Sequence, residues 1–212
     1  ASGAEAVVKI QDINQIITSR TAASITIAVD QLQNSNYVSV CVAGGVPQKF
    51  TRNSDFTVIS GTTLSATAPV IFSAQLFFDL FYADGVSTLK YDGSANAMAT
   101  WTPTAGSLPG SGSARWRLVE NWRSRIVLSG VREDPHNWFM SALGDPLDWD
   151  YAPTPSRTTQ AVAGNNAVAG KTADLVNSMC PYDDDTLLFF GDHSIWQMTG
   201  DPAEGGRLDL LS

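Results

Sequence analysis

The sequence predicts an all-β fold, with propeller-like blades that are incomplete in this chain and an N-terminal β-rich module. Long helical periodicity is nearly absent, apolar residues alternate with polar ones over short runs, and three segments of the second half look like copies of one another. The 212 residues are 43% apolar and 16% charged, which is the composition of a chain that buries a core. That length accommodates one sandwich- or barrel-sized domain or two smaller ones.

Only IQDINQII, residues 10–17, has helix-like spacing, through Ile10, Ile13, Ile16 and Ile17, and its β-branched content weakens even that reading. SITIAVD alternates Ile25, Ile27 and Val29 against small or polar residues, and YVSVCVAG alternates Val38, Val40 and Val42 before Gly44 and Gly45 break the run. Both are expected to be half-buried strands. A third strand, DFTVIS, ends at Gly61, and a Thr-, Ser- and Ala-rich connection closed by Pro69 follows. The boundary is therefore placed between residues 1–70, the N-terminal module or an insertion, and 71–212, the blade repeats.

The copies are LFFDLFYADGVSTLKYDGS (76–94), SRIVLSGVREDPHNWFMSALGDP (124–146) and DTLLFFGDHSIWQMTGDP (185–202). Each holds an apolar strand, a turn with Gly or Asp, a second strand with an aromatic, and a Gly-Asp or Asp-Gly step. Matching Leu80, Val127 and Leu188 gives offsets of 47 and 61 residues. That irregular spacing suits antiparallel sheets arranged radially, whose regular versions repeat at about 40–50 residues. In FFGDHSIW, Gly191 is expected to supply a positive φ and Asp192 a bond to nearby backbone, making a hairpin turn. The GDP triplets at 144–146 and 200–202 end strands, because proline has no amide hydrogen to give a ladder. Trp138 and Trp196 are read as equivalent residues filling the gap between neighbouring sheets, with Leu89 or Tyr91 in that role in the first copy.

Charge bounds the function. Thirteen Lys and Arg against 21 Asp and Glu give a net charge of −8, which disfavours a protein that grips phosphate backbones or anionic lipid. No apolar run approaches the roughly 18 residues that span a bilayer. The start, ASGAEAVVKI, lacks a basic region followed by an apolar core, so no targeting segment is expected. The absence of an initiating Met and the ending RLDLLS point to a segment of a longer polypeptide. Cys41 and Cys180, 139 positions apart in apolar surroundings, are read as buried or incidental thiols rather than a disulfide.

Several constellations invite a chemical reading. His136 and His193, near Asp134 and Asp192, suggest a metal or acid-base site, but no third or fourth ligand accompanies them, and turn residues are the expectation. Asp148 and Asp150, and the run Asp183 to Asp185, lack the glycine-interrupted spacing of a calcium loop and are read as turn and strand-start residues. No metal or cofactor is expected, and no catalytic residue is assigned. RWRLVENWRSR, residues 115–125, interleaves Arg115, Arg117, Arg123 and Arg125 with Trp116 and Trp122. These arginines are the candidate partner- or DNA-facing residues. The competing reading has them stacked on tryptophans and paired with Glu120, Glu133 or Asp134. GSLPGSGSA, 106–114, has glycines but no Lys-Ser or Lys-Thr for a phosphate loop, and reads as a flexible surface loop.

YDGSANAMATW, 91–101, partly resembles the aspartate-box turn of sialidase-type propellers, a structural element there. No carboxylate pair accompanies it with the spacing a glycosidase needs. The run RIVLSGVREDPHNWFMSALGDPLDWDY, followed by VNSMCPYDDDTLLFFGDHSIWQMTGDP, resembles virion proteins of tailed bacteriophages, particularly tail-nozzle or packaged-DNA-stabilisation proteins of short-tailed phages, over residues 75–212. The resemblance implies a β-propeller body in the virion tail or neck, in a homo-oligomeric ring around the DNA exit channel, docked on an adaptor or portal ring, without enzymatic activity or membrane contact. DNA would pass through such a channel without sequence-specific binding. The rival expectations are a carbohydrate- or receptor-binding propeller of a tail protein and a glycoside hydrolase.

Overall fold

The computed structural model describes residues 57–212 and, before them, the backbone at 17–21, 24–27, 37–41 and 47–51, with side chains from residue 58 onward. The chain divides into two compact units, Ala1–Ala66 and Thr67–Ser212.

In the first unit β1 (Ile17–Thr21) pairs antiparallel with β2 (Ser24–Ile27), and β3 (Tyr37–Cys41), β4 (Pro47–Thr51) and β5 (Thr57–Val58) form a second antiparallel sheet. A short β6 (Ser60–Gly61) follows. The alternating runs SITIAVD and YVSVCVAG thus supply β2 and β3, and DFTVIS supplies β5. Of the helix-like stretch IQDINQII, all but Ile17, the first residue of β1, lies outside the described residues.

The second unit is built from blades. The first comprises β7 (Phe72–Leu76), β8 (Asp79–Ala83), β9 (Leu89–Asp92) and β10 (Ala97–Thr100), hydrogen-bonded in that order. The second is a four-stranded sheet of β12 (Leu118–Trp122), β13 (Arg125–Val131), β14 (Asp134–Met140) and β16 (Val162–Ala163). The third is β17 (Ser178–Pro181), β18 (Thr186–Phe190), β19 (Ile195–Thr199) and β20 (Arg207–Leu210). Between the blades β11 (Ala105–Gly106) pairs parallel with β15 (Asp148–Trp149). The sequence copies are the middle hairpins β8–β9, β13–β14 and β18–β19. The fold is all-β, and among the described residues the helical structure is one 3-10 turn at Pro202–Glu204.

The sheets pack face on face. Ala74, Leu76, Phe81 and Ala83 of the first blade meet Val119, Ile126, Leu128 and Phe139 of the second. Leu118, Val127, Trp138 and Met140, on the second blade's other face, meet Met179, Leu187, Phe189 and Met198 of the third. Strand β13, RIVLSGV, is therefore buried at every position, the condition under which a strand reads as continuously apolar.

This arrangement corrects the equivalence of the tryptophans. Trp138 lies opposite Ser129, two residues after Val127, whereas Trp196 lies opposite Phe189, one residue after Leu188. Because side chains alternate along a strand, that single-residue difference puts the rings on opposite faces of their sheets. They enter one inter-blade gap from its two sides, Trp138 wholly buried and Trp196 at the margin. Ile195, opposite Phe190, occupies the place in the third blade that Trp138 holds in the second.

Tryptophan N–H groups brace the blades by donating to backbone carbonyls of other segments. Trp116 donates to Tyr82 O (3.0 Å), Trp122 to Asp183 O (2.8 Å), Trp138 to Gly170 O (3.0 Å) and Trp101 to Pro146 O, a carbonyl that also accepts locally from Trp149 three residues on. Each ring contributes apolar bulk to a gap while its single donor is satisfied.

Candidate functional site

In an up-and-down sheet the first and third connections lie at the same end of the blade, and hydrogen bonds show that the blades are aligned. Asn121, before the β12–β13 turn, donates to Gln75 O, before the β7–β8 turn (2.8 Å). Arg123 Nη1 donates to Asp184 O of the β17–β18 turn (2.7 Å). Phe77 and Phe78, Arg123 and Ser124, and Asp183 to Asp185 accordingly share one face of the unit. A groove of about 750 Å³ opens there between the second and third blades, with Trp122, Leu143 and Pro181 as its apolar lining and Asp183, Asp184 and Glu204 among its carboxylates.

The GDP triplets build the walls of this face. Gly144 and Gly200 hold φ of 70° and 75°, which glycine adopts without cost. Asp145 Oδ1 accepts the N–H of Leu147, and Asp201 Oδ1 accepts that of Ala203, both at 2.9 Å. Gly144 N donates to Ser124 O and Gly200 N to Asp185 O, so each triplet is tied to the first turn of its own blade.

The turn at FFGDHSIW works differently from the expectation. Gly191 has no positive φ; glycine is needed because a Cβ there would lie 2.4 Å from Asp174 Oδ2. Asp174 arrives from the preceding connection and accepts from His193 N, Ser194 Oγ and Leu175 N. The His193 N–H first, then Ser194 and Leu175, outweigh desolvation and hold its carboxyl below the usual carboxylate range. Asp192, expected to bond backbone, instead accepts from the Asn177 side chain. The Gly-Asp step is architecture, as read, but the capping carboxylate is remote in sequence.

The four arginines have separate positions. Arg125 is removed from the partner- or DNA-facing set, because its side chain is wholly buried. It donates from Nη1 to Ser141 O and Gln160 O, both at 2.7 Å, and from Nε and Nη2 to Asp201, at 3.0 Å for the shortest. Arg123, half-buried over the Trp122 ring, pairs with Asp185 (3.2 Å). Arg115 donates to the carbonyls of Pro109, Gly110 and Gly112, so the loop 106–114 is an organised turn rather than an untethered one. Arg117 remains exposed, with Nε on Gly130 O. The alternative partners also differ from those read in the sequence: Glu133 accepts from Ser111, and Asp134 takes Lys171. A carboxylate far along the chain cannot be matched to an arginine from local spacing.

The remaining candidates are also occupied. His136 belongs to strand β14 rather than a turn, and its carbonyl accepts from Thr172. Asp148 is buried against Arg157 (2.6 Å); burial pushes its carboxyl up, and the Arg157 bond, with the Asp150 N–H, brings it below its ordinary value. Asp92, in the aspartate-box-like turn, accepts from Ser94 N and Ala95 N, while Trp101 is buried. Among the described residues no group of three or more His, Cys, Asp or Glu is arranged to hold a metal. Cys180, expected in apolar surroundings, is exposed and unpaired, and Cys41's side chain lies outside the described residues. Among the described residues no helix is long and apolar enough to cross a membrane.

Sequence reasoning missed the Arg125–Asp201 clamp, the Asp174 cap and the Phe77–Phe78 tip. Only the last left a local signal, two bulky apolar residues where a hairpin turn ordinarily takes Asn-Gly.

No protein-family model matches the chain, and no curated protein matches it. Among solved structures it is similar to YCF48 bound to D1 peptide, with a TM-score of 0.53 at 7% identity, covering 89% of this chain and 58% of that one. The chain thus spans somewhat over half of that structure's length, and the likeness is one of propeller-like fold.

Proposed function

We propose that this chain is a structural virion protein of a tailed bacteriophage, a tail-nozzle or head-to-tail completion component that acts through protein contacts and channel shape rather than catalysis. The observation that carries the reading is the use made of the residues on which the phage resemblance rests. Trp138, Gly144, Asp145, Gly200 and Asp201 are spent on turns and on bonds that join blades, and Asp201 is tied to buried Arg125. A rigid set of braced sheets suits a subunit that bears load in a particle. Its partners in this reading are an adaptor or portal ring, neighbouring copies of itself, and DNA in transit. The net charge of −8 lets DNA slide rather than adhere.

The test is localisation in purified particles. Peptide mass spectrometry of density-purified phage and electron microscopy of the neck and tail are expected to find the chain at constant copy number in one ring. Its absence from particles, with abundant chain in infected cells, refutes the proposal. Density at fibre tips together with glycan-array binding moves the assignment to a carbohydrate- or receptor-binding tail protein.

A further inference from the structure

Strand β12, LVENW, sets one acidic residue among apolar ones on the face turned to the third blade. Glu120 lies opposite Val127 in the β12–β13 ladder, and residues paired in this way put their side chains on the same face of a sheet. Leu118 and Trp122, two positions to either side, share that face, and with Val127 they belong to the core between the second and third blades. Across the joint stands β17, which lies beside β12 and gives Met179 to the same core. Glu120 is half-buried there, and among the described residues its carboxylate has neither an ion pair nor a side-chain hydrogen bond.

The ionisable groups on the surrounding elements are engaged elsewhere or turned away. Arg125 on β13 is tied to Asp201, and Arg123, after β12, to Asp185. Asp183 and Asp184, in the β17–β18 turn, are exposed. On β14, Asp134 takes Lys171, and His136 is four positions from Met140, the residue across from Val127. On β20, Arg207 takes Asp209. Cys180 on β17 lies opposite Leu188, one position from Met179, and so faces away from the joint. Strands β16, β18 and β19 carry no ionisable side chain. Burial therefore acts alone on the Glu120 carboxyl and raises it above its ordinary value, because ionisation puts an uncompensated charge against an apolar core.

We propose that Glu120 makes the joint between the second and third blades a proton-operated latch, which tightens when this carboxyl takes up a proton and loosens when it ionises. A carboxyl that holds its proton more firmly in the closed joint than in water favours closure fully below the ordinary value near 4.3. That advantage is lost as pH rises through the raised value, and above it the difference is constant. The pairs Arg125–Asp201 and Arg123–Asp185 have the opposite sign, since protonating their carboxylates in acid loosens the same joint. Comparing wild type at each pH with a variant that lacks only the Glu120 proton therefore isolates the latch. The proposal does not depend on the virion role, which particle localisation tests separately.

The experiment is solvent exchange of indole N–H groups, followed by NMR on the full chain and corrected for the intrinsic pH dependence of exchange. The Trp122 indole reports this joint, since it donates to Asp183 O of the third blade. The Trp116 indole, on Tyr82 O of the first blade, reports the other joint and serves as the control. At pH 7, E120Q is expected to protect Trp122 about threefold or more over wild type, a displacement of one pH unit in the carboxyl being worth about tenfold. At pH 4 the two proteins should agree, and Trp116 should agree at both pH values. No gain for Trp122 at pH 7, a gain of the same size at pH 4 as at pH 7, or a gain shared by Trp116 overturns the proposal. The second of these outcomes marks a packing effect that needs no proton, and the third a change outside this joint.

Discussion

Replacing Asp201 with alanine removes the carboxylate that, among the described residues, is placed against Arg125. The guanidinium is wholly buried and uses its Nε and Nη2 donors on Asp201, with Ser141 O and Gln160 O taking Nη1. Without Asp201 a positive charge stays in the interior with part of its donors unmet, and breaking a buried pair in this way costs about 3–5 kcal/mol. For a chain of this size that corresponds to a fall in Tm of roughly 6–20 °C. Guanidinium titration followed by tryptophan fluorescence reads the loss directly, since Trp122, Trp138 and Trp196 line or border the second inter-blade core. The double variant R125M/D201A removes both charges, and its loss should be smaller than the sum of the single losses by about 1–3 kcal/mol. A D201A loss below about 1 kcal/mol, or strict additivity in the cycle, refutes the clamp.

The hydroxyl of Tyr151 is the one buried side-chain polar atom among the described residues that lacks a partner, so Y151F is expected to hold or raise stability by about 1 kcal/mol in the same titration. G191A drives a methyl group into Asp174, and the overpacking is expected to cost about 1–3 kcal/mol and to expose the amide of His193 to hydrogen exchange. Burial raises the carboxyl of Glu120, so folding is penalised once pH exceeds the unfolded value near 4.3; E120Q should therefore raise Tm at pH 7 and not at pH 4. Asp174 has the opposite sign: its folded value is depressed, its contribution is present above about pH 4, and it is lost as pH falls through the folded value. D174N should flatten the acid limb of the Tm–pH curve.

Much of the fold was legible because blades announce themselves locally. Alternation marked β2 and β3, and self-similarity marked the three middle hairpins. Outer strands were harder to see, since β16 is two residues long and takes its pairing from β14. The copies were matched through Leu80, yet Phe81 is the residue that faces the neighbouring blade. Apolar residues on both faces of a strand leave its register undetermined by hydrophobic pattern alone.

By itself the sequence determined an all-β chain with turns at the two Gly-Asp-Pro triplets, because a left-handed glycine and a carboxylate that accepts an N–H two residues on are local properties. Tertiary structure alone decided which arginine is buried, which carboxylate meets it, and what caps the turn at Gly191. Arg125 and Asp201, like Asp174 and His193, belong to segments that sheet packing brings together. Local sequence encodes how a hairpin bends, but not which distant segment will lie beside it.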